Sequence, residues 1–88
     1  MSVNCLPMAG ADRLDLPRLE LFGELTIRHV AIKLRGMLGS KEPLHIFLVQ
    51  GFAPSPENTL HDLFAAYATD RGGDKELVLK YSHQIVHG

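Results

Sequence analysis

The run Leu44-His45-Ile46-Phe47-Leu48-Val49 is nearly all apolar, and Gln50-Gly51-Phe52-Ala53-Pro54-Ser55-Pro56 follows it directly. A short continuous apolar run suits a strand covered on both faces, near the middle of a sheet. What comes next cannot extend it. Each proline lacks the amide donor that a ladder needs, and pushes the residue before it, Ala53 or Ser55, into extended geometry. A strand over Leu44–Gln50 therefore gives way to a stiff extended arm, with Phe52 expected as its anchor into the core. Phe47 and Val49 face away from Ile46 and Leu48, so one of these pairs is a candidate docking surface.

Patterns on either side supply the neighbours. Thr26 is a suitable N-cap. Beyond it Ile27, Val30, Ala31, Leu34, Met37 and Leu38 recur at helical spacing, and Gly39 supplies the stop. Ile32 falls off that stripe and is expected to be partly exposed. Arg28, His29, Lys33 and Arg35 form a basic flank, a type of face more often solvated than bound to a partner. After the prolines, Thr59 caps a shorter helix, with Asp62 at the capping-box position and Leu60, Leu63, Phe64 and Tyr67 on one face. Asp70-Arg71-Gly72-Gly73-Asp74 reads as a flexible turn. Glu76–Ser82 reads as a last strand, alternating Leu77, Leu79 and Tyr81 against Val78, Lys80 and Ser82. Upstream, Val3–Ala9 and Leu16–Phe22 are strand candidates. Pro7 lies inside the first, which calls for an edge position, a bulge or a shorter strand.

The order strand, strand, helix, strand, short helix, strand is that of an α+β domain of the β-grasp type. It implies a mixed sheet of four to five strands, one main helix and a short second helix. The first and last strands would lie parallel at its centre. At 88 residues there is room for one domain, expected over residues 1–82, with residues 83–88 as a flexible tail.

Composition narrows the chemistry. A net charge of −1 gives no reason to expect nucleic acid. No apolar stretch approaches the roughly 20 residues of a membrane span. Nor does the start of the sequence read as a secretory signal. The single cysteine, Cys5, permits no internal disulfide and reads as a small buried hydrophobe. His29, His45, His61, His83 and His87 are scattered without ligand spacing. Gly72-Gly73 lacks the Lys-Ser/Thr of a phosphate loop. No nucleophile, base and orienting group converge in the sequence, so no catalytic residue, metal or cofactor is expected, and a small enzyme ranks below a binding protein.

The string Phe47-Leu48-Val49-Gln50-Gly51-Phe52-Ala53-Pro54-Ser55-Pro56 resembles the signature of the autophagy-related protein 12 family of ubiquitin-like modifiers. Thr26-Ile27, Thr59-Leu60 with Phe64, and Leu77-Val78-Leu79-Lys80-Tyr81 extend the resemblance, and Gly88 falls where that family ends. The resemblance implies a β-grasp protein that is not an enzyme. Its terminal glycine carboxylate is adenylated with ATP by an activating enzyme of the autophagy-related protein 7 type. It passes to a conjugating enzyme of the protein 10 type and ends in an isopeptide bond to a lysine of autophagy-related protein 5. The conjugate then binds a conjugating enzyme of the protein 3 type and promotes lipidation of a second ubiquitin-like protein. A cytoplasmic protein recruited to forming autophagosome membranes is implied. Gly88 is the implied conjugation site, and Arg18, Leu19, Phe52, Val86 and His87 are the implied partner contacts. The sequence departs from the family where His87 replaces an aromatic before the glycine, where Leu19 replaces an aromatic after the basic Arg18, and in a longer stretch from Tyr67 to Asp74.

The chemistry of Gly88 agrees with this. An acyl group that must enter a narrow channel benefits from having no Cβ. The chain would supply the acyl donor, while its partners supply a thiolate and then an amine. The alternative is a β-grasp adaptor that binds protein partners without being conjugated.

Overall fold

The alternation of Leu77, Leu79 and Tyr81 with Val78 and Lys80 yields a strand with one dry face, and that strand is the spine of the structure. The computed structural model describes residues 1–8 and 10–83. Within them the chain runs β1 (Ser2–Pro7), β2 (Arg18–Glu20), α1 (Ile27–Leu38), β3 (His45–Leu48), α2 (Leu60–Tyr67), β4 (Thr69–Arg71) and β5 (Asp74–Ser82). The sheet has five strands in the order β2-β1-β5-β3, with β4 paired to β5 off that path. β1 and β5 are parallel, from Val3 opposite Leu77 to Pro7 opposite Tyr81. The other pairs are antiparallel. This is the expected α+β β-grasp with its two parallel strands at the centre. However β3, expected near the middle of the sheet, ends the strand order: its apolar residues are buried although it has one strand neighbour among the described residues. Val30 and Leu34 of α1 and Leu60 of α2 join Val3, Cys5, Leu77, Leu79 and Tyr81 in one core, each at most 1% exposed. Each such burial contributes roughly 1.5–3 kcal/mol.

Pro7 does not sit at a sheet edge. It is the last residue of a strand flanked by β2 and β5. The amide of Cys5 donates to Pro17 O at 2.8 Å, toward β2, and that of Met8 donates to Tyr81 O at 2.9 Å, toward β5. Amides alternate sides along a strand, so the nitrogen of Pro7 faces the β2 side. The β1–β2 register ends at Asn4, and no donor is needed there. β2 is shorter than the expected Leu16–Phe22 because its ends leave the sheet: Leu16 and Phe22 are 73% and 78% exposed.

The expected turn over residues 70–74 is instead a hairpin. Gly72 and Gly73 have φ of 63° and 96° between Arg71 and Asp74, the two positive values that a two-residue type I′ turn requires. Met37 leaves the expected stripe of α1 and is half exposed. It lies roughly 50° round from the Ile27–Val30–Leu34 line.

The proline arm has a specific task. Thr26 and Thr59, the two N-cap residues, face each other in an isolated bridge. The amides of Ile27 and Arg28 donate to Asn58 O (2.9 Å) and Pro56 O (3.0 Å), and those of Leu60 and His61 donate to Leu25 O (2.8 Å) and Gly23 O (2.9 Å). Each helix start thus satisfies the orphan donors of the other. At α1 His29 completes a capping box, its Nδ1 accepting from the Thr26 amide at 3.3 Å. A histidine replaces the usual Glu or Gln in that role, so the sequence pattern did not reveal it.

Candidate functional site

The face of the sheet opposite the core carries a polar cluster, built by strand alternation. Asn4 of β1 stands opposite Arg18 of β2 and next to β5. Its Nδ2 donates to Glu76 Oε1 at 3.2 Å. The other carboxylate oxygen of Glu76 holds Arg18 Nε at 3.2 Å, and Arg71 Nη1 lies 3.5 Å from Oε1. The Glu76 side chain is only 8% exposed, whereas those of Arg18 and Arg71 are 57% and 63% exposed. A buried carboxylate therefore anchors two guanidinium groups whose outer donors remain in water. Asn4 Oδ1 is buried and has no partner among the described residues. Turning that amide round would set its oxygen against the carboxylate, so the observed orientation is the favourable one. A depression of about 500 Å³ opens beside the cluster, bounded by Ser2, Arg18, Glu20, Phe64, Arg71 and Lys75. Asp74 and Glu76 also line it, so with Glu20 three acids face three bases, and the hollow suits a polar group rather than one sign of charge.

Replacing Glu76 with Ala is expected to lower unfolding free energy by about 1–3 kcal/mol, because the Asn4 amide is left buried without an acceptor. Glu20→Ala, which removes an exposed carboxylate, should cost less than ~0.5 kcal/mol. Urea midpoints of the two variants test this; equal midpoints would show that the cluster adds no stability.

The residues singled out from sequence do not form one patch. Arg18 belongs to this cluster. Leu19, the next residue along the strand, packs against the core on the other face opposite Val3. Phe52 is not the core anchor that was expected. It is 44% exposed, and its ring meets Tyr67 edge-on at a centroid distance of 5.4 Å. The reason lies in the backbone: the Leu48 amide donates to Phe52 O and the Gly51 amide to Leu48 O, both at 2.9 Å, and this tight turn swings the ring outward. The docking pairs read from the β3 sequence are also corrected, since Ile46, Phe47 and Leu48 are all buried and Val49 alone is exposed. Val86, His87 and Gly88 lie outside the described residues.

The end of β5 is tied down. Ser82 pairs with His45, and His83 Nδ1 is 3.1 Å from Pro43 O, with the Glu42 carboxylate at 4.0 Å. The route to residues 84–88 thus starts beside β3. Cys5 is fully buried, and burial pushes its thiol up to about 12, which makes it inert at neutral pH. Asn4 and Glu76 were not singled out from the sequence. The available signal was a glutamate just ahead of the Leu77-Leu79-Tyr81 alternation, on the face shared with Val78 and Lys80.

Comparison with known proteins places this geometry. The chain matches the family described as ubiquitin-like autophagy protein Apg12 over residues 9–88. It is 31% identical over 81 residues to the ubiquitin-like protein atg12 of Dictyostelium discoideum, covering 90% of this chain and 62% of that protein. It is 33% identical over 61 residues to the ubiquitin-like protein ATG12 of Lodderomyces elongisporus, covering 69% of this chain and 26% of that protein. The chain therefore spans less than two thirds of the length of these curated relatives. Among solved structures, Trypanosoma brucei ATG8 superposes with a TM-score of 0.79 at 19% identity, over 93% of this chain and 71% of that one. Plasmodium falciparum Atg8, solved in complex with a Plasmodium falciparum Atg3 peptide, superposes with a TM-score of 0.76 at 12% identity, over 96% of this chain and 76% of that one. Identities at that level speak for a shared ubiquitin-like fold alone. The family match, which takes in α1, the proline arm and β5 together, leads to one assignment: the chain belongs to the ubiquitin-like autophagy protein Apg12 family.

Proposed function

We propose that this autophagy ubiquitin-like protein is a modifier attached through Gly88. The observation that carries the reading is the family match across residues 9–88, together with a β-grasp whose last strand ends at Ser82. In the proposed sequence the Gly88 carboxylate attacks the α-phosphorus of ATP on an activating enzyme of the autophagy-related protein 7 type, releasing pyrophosphate. A cysteine thiolate of that enzyme displaces AMP to give a thioester, and a conjugating enzyme of the protein 10 type accepts the acyl group by exchange. A lysine amine of autophagy-related protein 5 then displaces the thiolate and forms the isopeptide bond. The protein itself catalyses none of these steps; it presents an acyl group. The conjugate binds a conjugating enzyme of the protein 3 type and promotes lipidation of a second ubiquitin-like protein. This happens in the cytoplasm and at forming autophagosome membranes.

Arg18, fixed by Glu76, is the proposed charged contact of that recruitment. Phe52 is a proposed aromatic contact on a different part of the surface, and Leu19 supports β2 from the core side. Val86 and His87 accompany Gly88 into the partner enzymes. A thioester assay tests the reading. Incubation with the activating enzyme and ATP should give an adduct on a non-reducing gel that dithiothreitol removes. A protein that forms no such adduct is an adaptor rather than a modifier.

A further inference from the structure

A groove of about 570 Å³ lies away from the Arg18 cluster, between α1 and β3. Its walls are mainly apolar, made by Ala31 and Ile32 of α1, Pro54 of the proline arm and the edge of β3. Ile32 is 61% exposed there, a large apolar side chain left in water. Arg28 and Arg35 stand four residues before it and three after it on the same helix flank.

Both arginines can receive a carboxylate. Arg28 is held by Glu57, but their side chains are 61% and 71% exposed, and such a pair is weak and exchangeable. Arg35 binds the carbonyls of Ser40 (3.3 Å) and Lys41 (2.8 Å), and among the described residues no carboxylate pairs with it.

The strand beside the groove has an open side. Among the described residues β3 pairs with β5 alone. Leu48 turns its amide and carbonyl away from β5, to Phe52 and Gly51. Backbone groups repeat their direction every second residue, so the amide and carbonyl of Ile46 point the same way, toward the groove. An unpaired edge with an apolar trough and cationic rim is a template for an added strand.

We propose that this groove binds an extended segment of another protein, which adds to β3 through Ile46, places an apolar side chain against Ile32 and sets acidic residues against Arg28 and Arg35. Arg28 and Arg35 are about 10 Å apart along the helix axis. Residues four apart in a strand share a face and span about 13 Å, within reach of two long arginine side chains, so the expected pattern is two acids four positions apart with an apolar residue midway on the same face. A second copy of this chain is a poor occupant, because pairing two β3 edges would bring two sets of arginines together. The inference does not depend on conjugation through Gly88.

The test uses the full chain and an array of eight-residue peptides in which Asp, Lys, Val and Ile vary at each position. The tightest binders are expected to carry the two acids at that spacing and to protect the Ile46 amide from hydrogen exchange. Ile32→Asp should weaken them about tenfold or more and Arg28→Glu several-fold, while Lys33→Glu, on the far side of α1, should leave binding unchanged. Both groove positions are exposed, so circular dichroism should show unchanged folding. The proposal is overturned if basic peptides bind best, if protection maps to β2, or if Ile32→Asp binds as well as the native protein. It also fails if the protein dimerises through this edge in sedimentation, or if Ile32 instead mediates binding to phosphatidylserine vesicles.

Discussion

A protein ending at His87 is expected to form no detectable thioester with the activating enzyme, while melting within about 1 °C of the full chain. Removing Gly88 shifts the terminal carboxylate back along the chain by about 3.5 Å and puts an imidazole-bearing carbon next to the reacting carbonyl. A misplacement of about 1 Å can cost a factor of ~100 in a step that relies on aligned reactants, so a full residue should cost more than about a thousandfold. Gly88→Ala keeps the length and adds one methyl group. Its adduct should form roughly ten to a hundred times more slowly if the receiving channel is built for a bare backbone. Stability should not follow activity, because among the described residues the last core side chains are Leu79 and Tyr81, well before the position altered. Gel-based thioester rates and thermal melts on the three proteins separate the effects. A truncated protein charged at the native rate would show that Gly88 is not the acyl donor.

The second large effect is a loss of stability in alkali. The Cys5 thiol, fully buried in β1, is raised by desolvation from 9.0 to about 12. Below pH 9 the thiol is protonated in both folded and unfolded chains, and it contributes no pH dependence. Between about 9 and 12 the unfolded chain has lost that proton and the folded chain has kept it. Unfolding therefore becomes easier as pH rises, by about 1.4 kcal/mol per pH unit. At pH 11 the loss approaches ~3 kcal/mol, a large part of the stability of a small domain. Tyr81 acts in the same direction, since burial raises its phenol, whose O–H donates to Asp12 O at 2.6 Å. Urea midpoints should hold from pH 8 to about 9 and then fall to pH 11, and Cys5→Ala should remove about one proton's worth of that slope. An unchanged slope in the alanine variant would rule out the thiol as the source.

The parts legible from sequence were those set by local rules. The Thr26 cap, the Gly39 stop and the Leu77-Leu79-Tyr81 alternation each depend on residues close in the chain, and the structure reproduces them. The misreadings arose where distant segments decide. For Pro7 an edge, a bulge or a shorter strand all stayed open, because a sequence does not state how far a neighbouring strand runs; the shorter strand holds. Phe52 looked like a core anchor until the hydrogen bonds of Leu48 turned the chain. Glu76 gained its role only when β1 and β2 brought Asn4 and Arg18 to it. The exposure of Ile32 was legible from its place off the helical stripe, but the groove beside it was not. Its facing strand edge needed the sheet.

The bridge between Thr26 and Thr59 has a consequence for how the chain can vary. Because four amides at the two helix starts find their acceptors across that bridge, the lengths of the Gly23–Leu25 and Pro56–Asn58 segments are coupled. An inserted residue in either would slide the acceptors past both sets of donors and fray two helices at once, whereas an exchange of side chains at exposed Glu57 leaves the acceptors in place. The proline string is thus a ruler: its stiffness keeps constant the distance on which both helix origins depend.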